Sequence, residues 1–334
     1  MSSTPFMQIE KILETIESFA PPELALEWDK CGIQVAGSKR HIKKMAVALD
    51  PDENSINQAV KLNADFILTH HPLSLKPKLP DQQDSFNRIL TTLLTSGTTL
   101  YSAHTSLDAN PNGPVRWLAN ALKLADLDLL YPTANIKSSQ ISFQHPIDVN
   151  IISLSCRKYI LHKETTSEGL LREVILPSDK IEEFLLEIKK NVWPFFYMVT
   201  EKPEYDQVSG LGFTGRLSQS MPFETFLSKL KDILGIAHIS MVGEPSDMIQ
   251  NVACCPGSGG DMASKAFNMG ADIYISGDLK YHQAQDLALK GAVLDVGHFI
   301  LEEKMMFEWY NELKQSLKEI ELIFIEGKSP FNIL

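Results

Sequence analysis

Apolar positions recur along this 334-residue chain with two different periods, and those periods divide it into elements. Over 7–19, Ile9, Ile12, Leu13, Ile16 and Phe19 fall at helical spacing, and Pro21-Pro22 closes the segment. Over 222–234 the same pattern returns with Phe223, Phe226, Leu227, Leu230 and Leu234, ending at Gly235. The run Phe66-Ile67-Leu68-Thr69, led in by Asp65, has no polar alternation and reads as a buried parallel strand. A further helix is expected from about Lys304 to Gln315.

The pattern also repeats. Ile42, Ala46, Ala59, Ala64 and Asp65 fall on Ile249, Ala253, Ala266, Ala271 and Asp272 without gaps, an offset of 207. Phe66-Ile67-Leu68 then coincides with Ile273-Tyr274-Ile275. Further on the offset is 194, and Gly97, Leu100, His104, Leu107 and Asp108 meet Gly291, Leu294, His298, Leu301 and Glu302. The expected class is therefore α/β, with two related βαβαβ lobes over 1–125 and 209–334. Right-handed crossovers put the strand C-termini of each lobe on one edge, where α/β proteins place their sites. A shared site between the lobes is expected. Residues 126–150 read as a connector and 151–208 as a small α+β insertion. That insertion holds a strand over 171–176 and one amphipathic helix over 180–192, with Ile181, Phe184, Leu185, Ile188 and Val192 on its face. These are too few elements for a core of its own.

Composition narrows the class. A hydrophobic content of 44% and a charged content of 22% are ordinary for a globular protein. The formal charge of -11 argues against a general nucleic-acid or anionic-membrane surface. No apolar segment approaches the ~20 residues of a membrane-spanning helix, and the N-terminus lacks a basic region followed by an apolar core. The four cysteines, Cys31, Cys156, Cys254 and Cys255, show no C-x-x-C spacing. A reducing cytoplasm suits them.

Chemistry gathers at the predicted strand ends. His70-His71 follows the apolar run, and two His-x-x-x-carboxylate patterns follow later strands: His104 with Asp108, and His298 with Glu302. Imidazoles and carboxylates in such company are the ligand types of Zn, Fe or Mn. Beyond a strand end the in-out alternation lapses, so both rings of His70-His71 can turn toward one cavity. His298 and Glu302 at i, i+4 in a first helical turn share a face, although a helix-start Glu is also favoured by the dipole alone. Asp108, before Asn110-Pro111-Asn112-Gly113, reads either as a ligand or as a turn former. His104 is a candidate for ligation, for support of a ligand or for catalysis, and His282 for a pocket-lining acid or base. His41, His145, His162 and His238 have no partner at ligand spacing. Pro256-Gly257-Ser258-Gly259-Gly260, between a strand and a helix, reads either as an anion cradle or as a tight turn.

These motifs together resemble a known family, the Nif-three-like dinuclear metal-binding proteins labelled type-two GTP cyclohydrolase I homologues. The resemblance rests on Trp28-Asp29-Lys30-Cys31-Gly32-Ile33-Gln34-Val35, Thr69-His70-His71-Pro72-Leu73, His104 through Asp108, Gly257 through Gly260, Gly277 through His282, and Gly297 through Glu302. They span nearly the whole chain outside the insertion. The resemblance implies five metal ligands, His70, His71, Asp108, His298 and Glu302, for two divalent transition-metal ions per subunit. It further implies that Glu302 bridges, with His71 and Asp108 on one ion and His70 and His298 on the other. It implies a ring-shaped homohexamer, and the insertion as a shortened ferredoxin-like module. Lys30, Asp278 and Tyr281 depart from the family pattern near the pocket rim.

A metal-dependent hydrolase is the function this implies, because two ions a few ångströms apart can lower the pKa of a bridging water to yield hydroxide. Nothing in the residues specifies guanine, and a small-molecule substrate is all that follows. Two other classes stay open: a metal-handling or regulatory scaffold, and a partner-binding ring braced by its metals.

Overall fold

A computed structural model describes residues 5–157, 159–192 and 194–331. It divides into two compact units, Met1–Tyr131 with Gly210–Leu334, and Pro132–Ser209.

The larger unit is built on two sheets. In the first, strands Glu321–Phe324, Lys44–Ala48, Phe66–Thr69 and Thr99–Ser102 run parallel in that order, and Gly32–Val35 joins antiparallel at the edge. In the second, Ser240–Val242, Ala292–Asp295, Ile273–Ser276, Met248–Cys254, Gln207–Pro222 and Ala125–Ile136 lie side by side, the second to fourth of them parallel. The continuous apolar runs have a simple cause. Met45, Val47, Phe66 and Leu68 point into a central core, while Ala46, Ala48 and Ile67 face a second cluster beneath helices Glu53–Lys61 and Ser85–Ser96. In the other sheet Ile273 and Ile275 face the central core, and Tyr274 faces its own outer cluster. Strands covered on both faces have no polar side to show.

The central core is completed by the helical faces expected from the periodicity, now Ile9–Phe19 and Phe223–Leu234, and by a long helix, His298–Ser316. The last buries Leu301, Met305, Met306, Trp309 and Leu313, and truncating one of these to Ala is expected to cost about 2–5 kcal/mol.

The two sheets share local devices. Asp65 Oδ2 accepts from the N–H groups of Lys43 and Lys44 at 2.8 and 3.2 Å, and Asp272 Oδ2 accepts from those of Gln250 and Asn251 at 2.8 and 2.7 Å. Register agrees as well, Met45 pairing with Phe66 and Val252 with Ile273.

Three expectations need correcting. The C-terminal strand Glu321–Phe324 belongs to the first sheet, not to a self-contained second lobe, because it leaves the long helix beside Lys44–Ala48. The connector expected over 126–150 holds much of two strands, Ala125–Ile136 and Ser138–Ile147. The smaller unit also has a core of its own. Its antiparallel sheet, ordered Tyr197–Glu201, Ser138–Ile147, Leu171–Pro177 and His162–Thr165, packs Ile141, Val174 and Leu176 on Phe184 and Ile188 of helix Ile181–Asn191. Counting only the helix and one strand missed three strands with weaker patterns. Among the described residues no helix is long and apolar enough to cross a membrane.

Candidate metal centre

His70 and His71 leave the end of strand Phe66–Thr69 in a tight turn, because both of their N–H groups donate to the Leu49 carbonyl, at 3.2 and 3.1 Å. Thr69 Oγ1 donates to the His71 carbonyl at 2.8 Å and Ser102 Oγ to the His70 carbonyl at 2.7 Å, which pins the turn. His104 opens the single turn Thr105–Asp108, whose Leu107 and Asp108 N–H groups donate back to its carbonyl. The turn beyond is made by Asn110, whose Oδ1 accepts from Asn112 N–H at 3.0 Å, so Asp108 is not its former. His298 and Glu302 stand one above the other at the start of helix His298–Ser316.

These residues converge. Glu302, 4% exposed, turns its two oxygens to different imidazoles. Oε2 lies 2.8 Å from His298 Nε2 and 3.1 Å from His71 Nε2, and those two nitrogens are 3.4 Å apart. Oε1 lies 3.8 Å from His70 Nε2, which is 3.7 Å from Asp108 Oδ1. The grouping is thus His71 with His298 and His70 with Asp108. That differs from the pairing implied by resemblance, because the tight turn at 70–71 aims the two rings at opposite oxygens of Glu302. His104 stands at the same cluster, its ring 5.1 Å from that of His70 and 5.5 Å from that of His71. His282 is exposed, bonded to Gln285, and is not among them.

Each ring is held from behind. His70 donates Nδ1–H to the Ala103 carbonyl at 3.1 Å, His71 to Asp50 Oδ1 at 2.7 Å, and His298 to Asp278 Oδ2 at 2.8 Å. Such bonds fix the tautomer and present Nε2. Buried Asp29 lies 3.0 Å from His104 Nδ1 and also accepts from Thr105 N–H and Oγ1. The support Asp50 was not singled out from sequence, and Asp29 entered only as part of the motif that carries the resemblance, with no role assigned. Asp50 carries the available signal, a carboxylate directly after a buried strand.

The glycine run is a close-approach device. A Cβ on Gly257 would come 2.5 Å from Glu302 Oε1, and Gly259 N–H already donates to Ser276 Oγ at 3.0 Å. A Cβ on Gly277 would meet His298 N at 2.5 Å. Close packing, of Gly257 on Glu302, Gly259 on Cys255 and Ser276, and Gly277 on His298, accounts for these residues without an anion cradle.

Electrostatics divide the cluster. Burial holds the His70 imidazole down to about 3, so it stays neutral. Burial would lower His71 as well, but Asp50 and Glu302 raise it to about 10, and the bond to Glu302 raises His298 to about 9. With their Nε2 atoms so close the two rings compete for charge, and the pair holds at least one proton at neutral pH. Burial, then the Glu302 charge, pushes Asp108 up to about 7. Burial opposes ionisation of Glu302, yet the imidazoles around it hold its carboxyl well below the usual range.

The donor set suits a metal. His70 Nε2 and Asp108 Oδ1 are buried with no hydrogen-bond partner among the described residues, an arrangement that costs free energy unless a cation meets them. Two three-residue groups, His70/His71/His104 and His71/His298/Glu302, bring one donor atom each within 4.8 Å of one another.

Fold and site together define an α/β protein with a buried His-carboxylate cluster fit for metal at the ends of its parallel strands. The chain belongs to the Duf34/NIF3 (NGG1p interacting factor 3) family, whose model matches residues 7–330. Among its relatives, a "GTP cyclohydrolase 1 type 2 homolog" of Staphylococcus epidermidis is 27% identical, over 94% of this chain and 98% of the relative. A protein of the same description from Bacillus subtilis is 29% identical, over 90% of each. Among solved structures, a Bacillus cereus protein related to NIF3 is 24% identical and matches with a TM-score of 0.79 over the whole of both chains. A Staphylococcus aureus protein matches at 0.75 with 20% identity, and both likenesses speak to fold.

Proposed function

We propose that the chain is a dinuclear metal protein and a metal-dependent hydrolase of a small molecule. One observation carries the reading: the two oxygens of Glu302 face separate donor sets, His71 with His298 and His70 with Asp108. Five ligands of this kind exceed what one tetrahedral ion takes. Two divalent ions bound there would supply Lewis-acid polarisation and a water activated near neutral pH. The chain's own part is to hold Nε2 atoms forward through Asp50, Asp278 and the Ala103 carbonyl, and to keep His104, steadied by Asp29, beside the cluster as a proton carrier. The cytoplasmic setting and the ring-shaped homohexamer belong to the same proposal, supported by four free cysteines and by the resemblance described above. So does descent of the two sheets from one repeated unit, supported by the matching Asp65 and Asp272 contacts.

A metal-handling scaffold is the second reading, favoured by the partial exposure of His71 and His298, which suits exchange of an ion. Elemental analysis of metal-replete protein should give two ions per subunit. A metabolite turnover screen with Glu302→Gln as control then separates the readings. Turnover lost in the variant supports the hydrolase, and two ions without any turnover supports the scaffold.

A further inference from the structure

We infer that the cavity beside His71 and His298 takes an uncharged or cationic, ring-sized organic molecule and excludes polyphosphates. This names the substrate class of the proposed site and rests on that reading. The cavity has a volume of ≈ 930 Å³, enough for a molecule of nucleoside size. Its walls are of two kinds. Ile236, Ile239, Val296, Phe299 and Phe331 form an apolar side, and three carboxylates, Asp50, Asp278 and Asp295, stand toward the imidazoles. No Lys or Arg is among its described lining residues, and besides the three aspartates, His71 and His298 the one other titratable side chain among them is His238.

Polyphosphate sites are built from Lys or Arg side chains, free helix N-termini or glycine-rich nests of N–H groups. Each is missing here or opposed by neighbouring carboxylates. The N-terminus of helix His298–Ser316 reaches the cavity with no side chain capping it, but two carboxylates stand at that end, Asp295 Oδ1 accepting from Gly297 N–H at 3.0 Å and Asp278 Oδ2 from His298 Nδ1–H at 2.8 Å, and both oppose an anion there. In the glycine run, Gly259 N–H is committed to Ser276 and Gly257 packs on Glu302. Acidic surroundings extend outward, for Glu303 feels both Asp50 and Glu326. Two divalent ions would be matched by the carboxylates of Asp108, Glu302, Asp50, Asp278 and Asp295, leaving no surplus positive charge for a polyanion. An apolar wall with an acidic end fits a flat, uncharged or cationic body lying against Phe299 and Ile239 with its reactive end toward the imidazoles.

Three probes test this on full-length, metal-loaded protein: guanosine, GTP and tryptamine, titrated by calorimetry with metal content measured on the same sample. Guanosine and GTP share base and ribose, so their difference isolates the triphosphate. Guanosine or tryptamine should bind at least about tenfold tighter than GTP. Ile239→Trp, which fills the cavity, should weaken that binding about tenfold or more with metal content unchanged. Ser240→Lys, at an exposed wall position, should narrow the gap to GTP severalfold and guards against misfolding of the bulkier variant. GTP binding as tightly as guanosine and tryptamine, or neither of those two binding, overturns the inference. Failure to hold two ions overturns the metal reading instead, and the metal-free protein then reports the charge order with the same three probes.

Discussion

The two halves of the candidate metal site use the same residue types in opposite surroundings. His70 is fully buried, neutral, and backed by a backbone carbonyl. His71 and His298 keep 23% and 30% of their side chains exposed, face the cavity, and are backed by the carboxylates of Asp50 and Asp278. A carboxylate behind an imidazole raises its basicity, while a carbonyl behind it chiefly orients it. Burial decides the proton state of His70, and carboxylate partners decide those of His71 and His298, before any ion arrives. The inner half is therefore prepared as a neutral, closed position, and the outer half as an electron-rich position reached through a cavity. Glu302 belongs to both.

The comparison breaks most severely at Glu302. Glu302→Ala should abolish binding at both positions, with affinity lower by two orders of magnitude or more, on the order of what a lost ligand costs. Elemental analysis after dialysis against a weak chelator reads it, and retention of one full equivalent would show that Glu302 does not serve both halves. Next in size, Asp108→Ala should empty the inner position and His298→Ala the outer, each leaving about one equivalent. If either variant lost both ions equally, the division into halves would be mistaken.

Replacing the supports should have a smaller, one-sided effect. Asp50→Asn and Asp278→Asn should each weaken the outer position about 10–100-fold and leave the inner one within a few-fold of wild type, measured by competition with a chromophoric chelator. Acidity sharpens the same contrast. His71 and His298, raised to about 10 and about 9, share at least one proton that an incoming ion must displace. Outer affinity should therefore rise with pH, by up to about tenfold per unit for one displaced proton, and level off only as pH passes roughly 9–10. At the inner half His70 is already neutral, and Asp108 titrates near 7, so the rise should end there. Calorimetry in two buffers of different ionisation enthalpy counts the released protons, and equal counts for both ions above pH 8 would contradict this.

The smallest change is expected from the unit that holds none of the cluster. Ser138 N–H donates to Asp206 Oδ1 at 2.8 Å, so the ends of the segment between them already lie close together. A short Gly/Ser linker in place of 139–205 should leave metal stoichiometry unchanged while altering oligomer size or stability by sedimentation. Loss of both ions from a still-folded variant would show that this unit helps to build the site.

Periodicity alone determined a good deal of this protein. Apolar spacing located helices Ile9–Phe19 and Phe223–Leu234, and unbroken apolar runs located strands buried on both faces. Residue type at the ends of those strands drew attention to His70-His71 and to the two His-x-x-x-carboxylate patterns, a local feature of the chain, while the set of five ligands came from the family resemblance. Other properties depend on groups far apart in sequence, and only tertiary structure decided them. Strand Glu321–Phe324 chose the sheet of Lys44–Ala48 through backbone pairing, which carries no residue-specific signature. Asp50 came to stand behind His71, and Gly257 came to yield its Cβ space to Glu302, only once distant segments were packed. The grouping of ligands was decided in the same way, since neighbouring imidazoles in one tight turn diverge according to backbone geometry and not residue type. Proton states, too, follow from burial and charge partners, and those exist only in the folded chain.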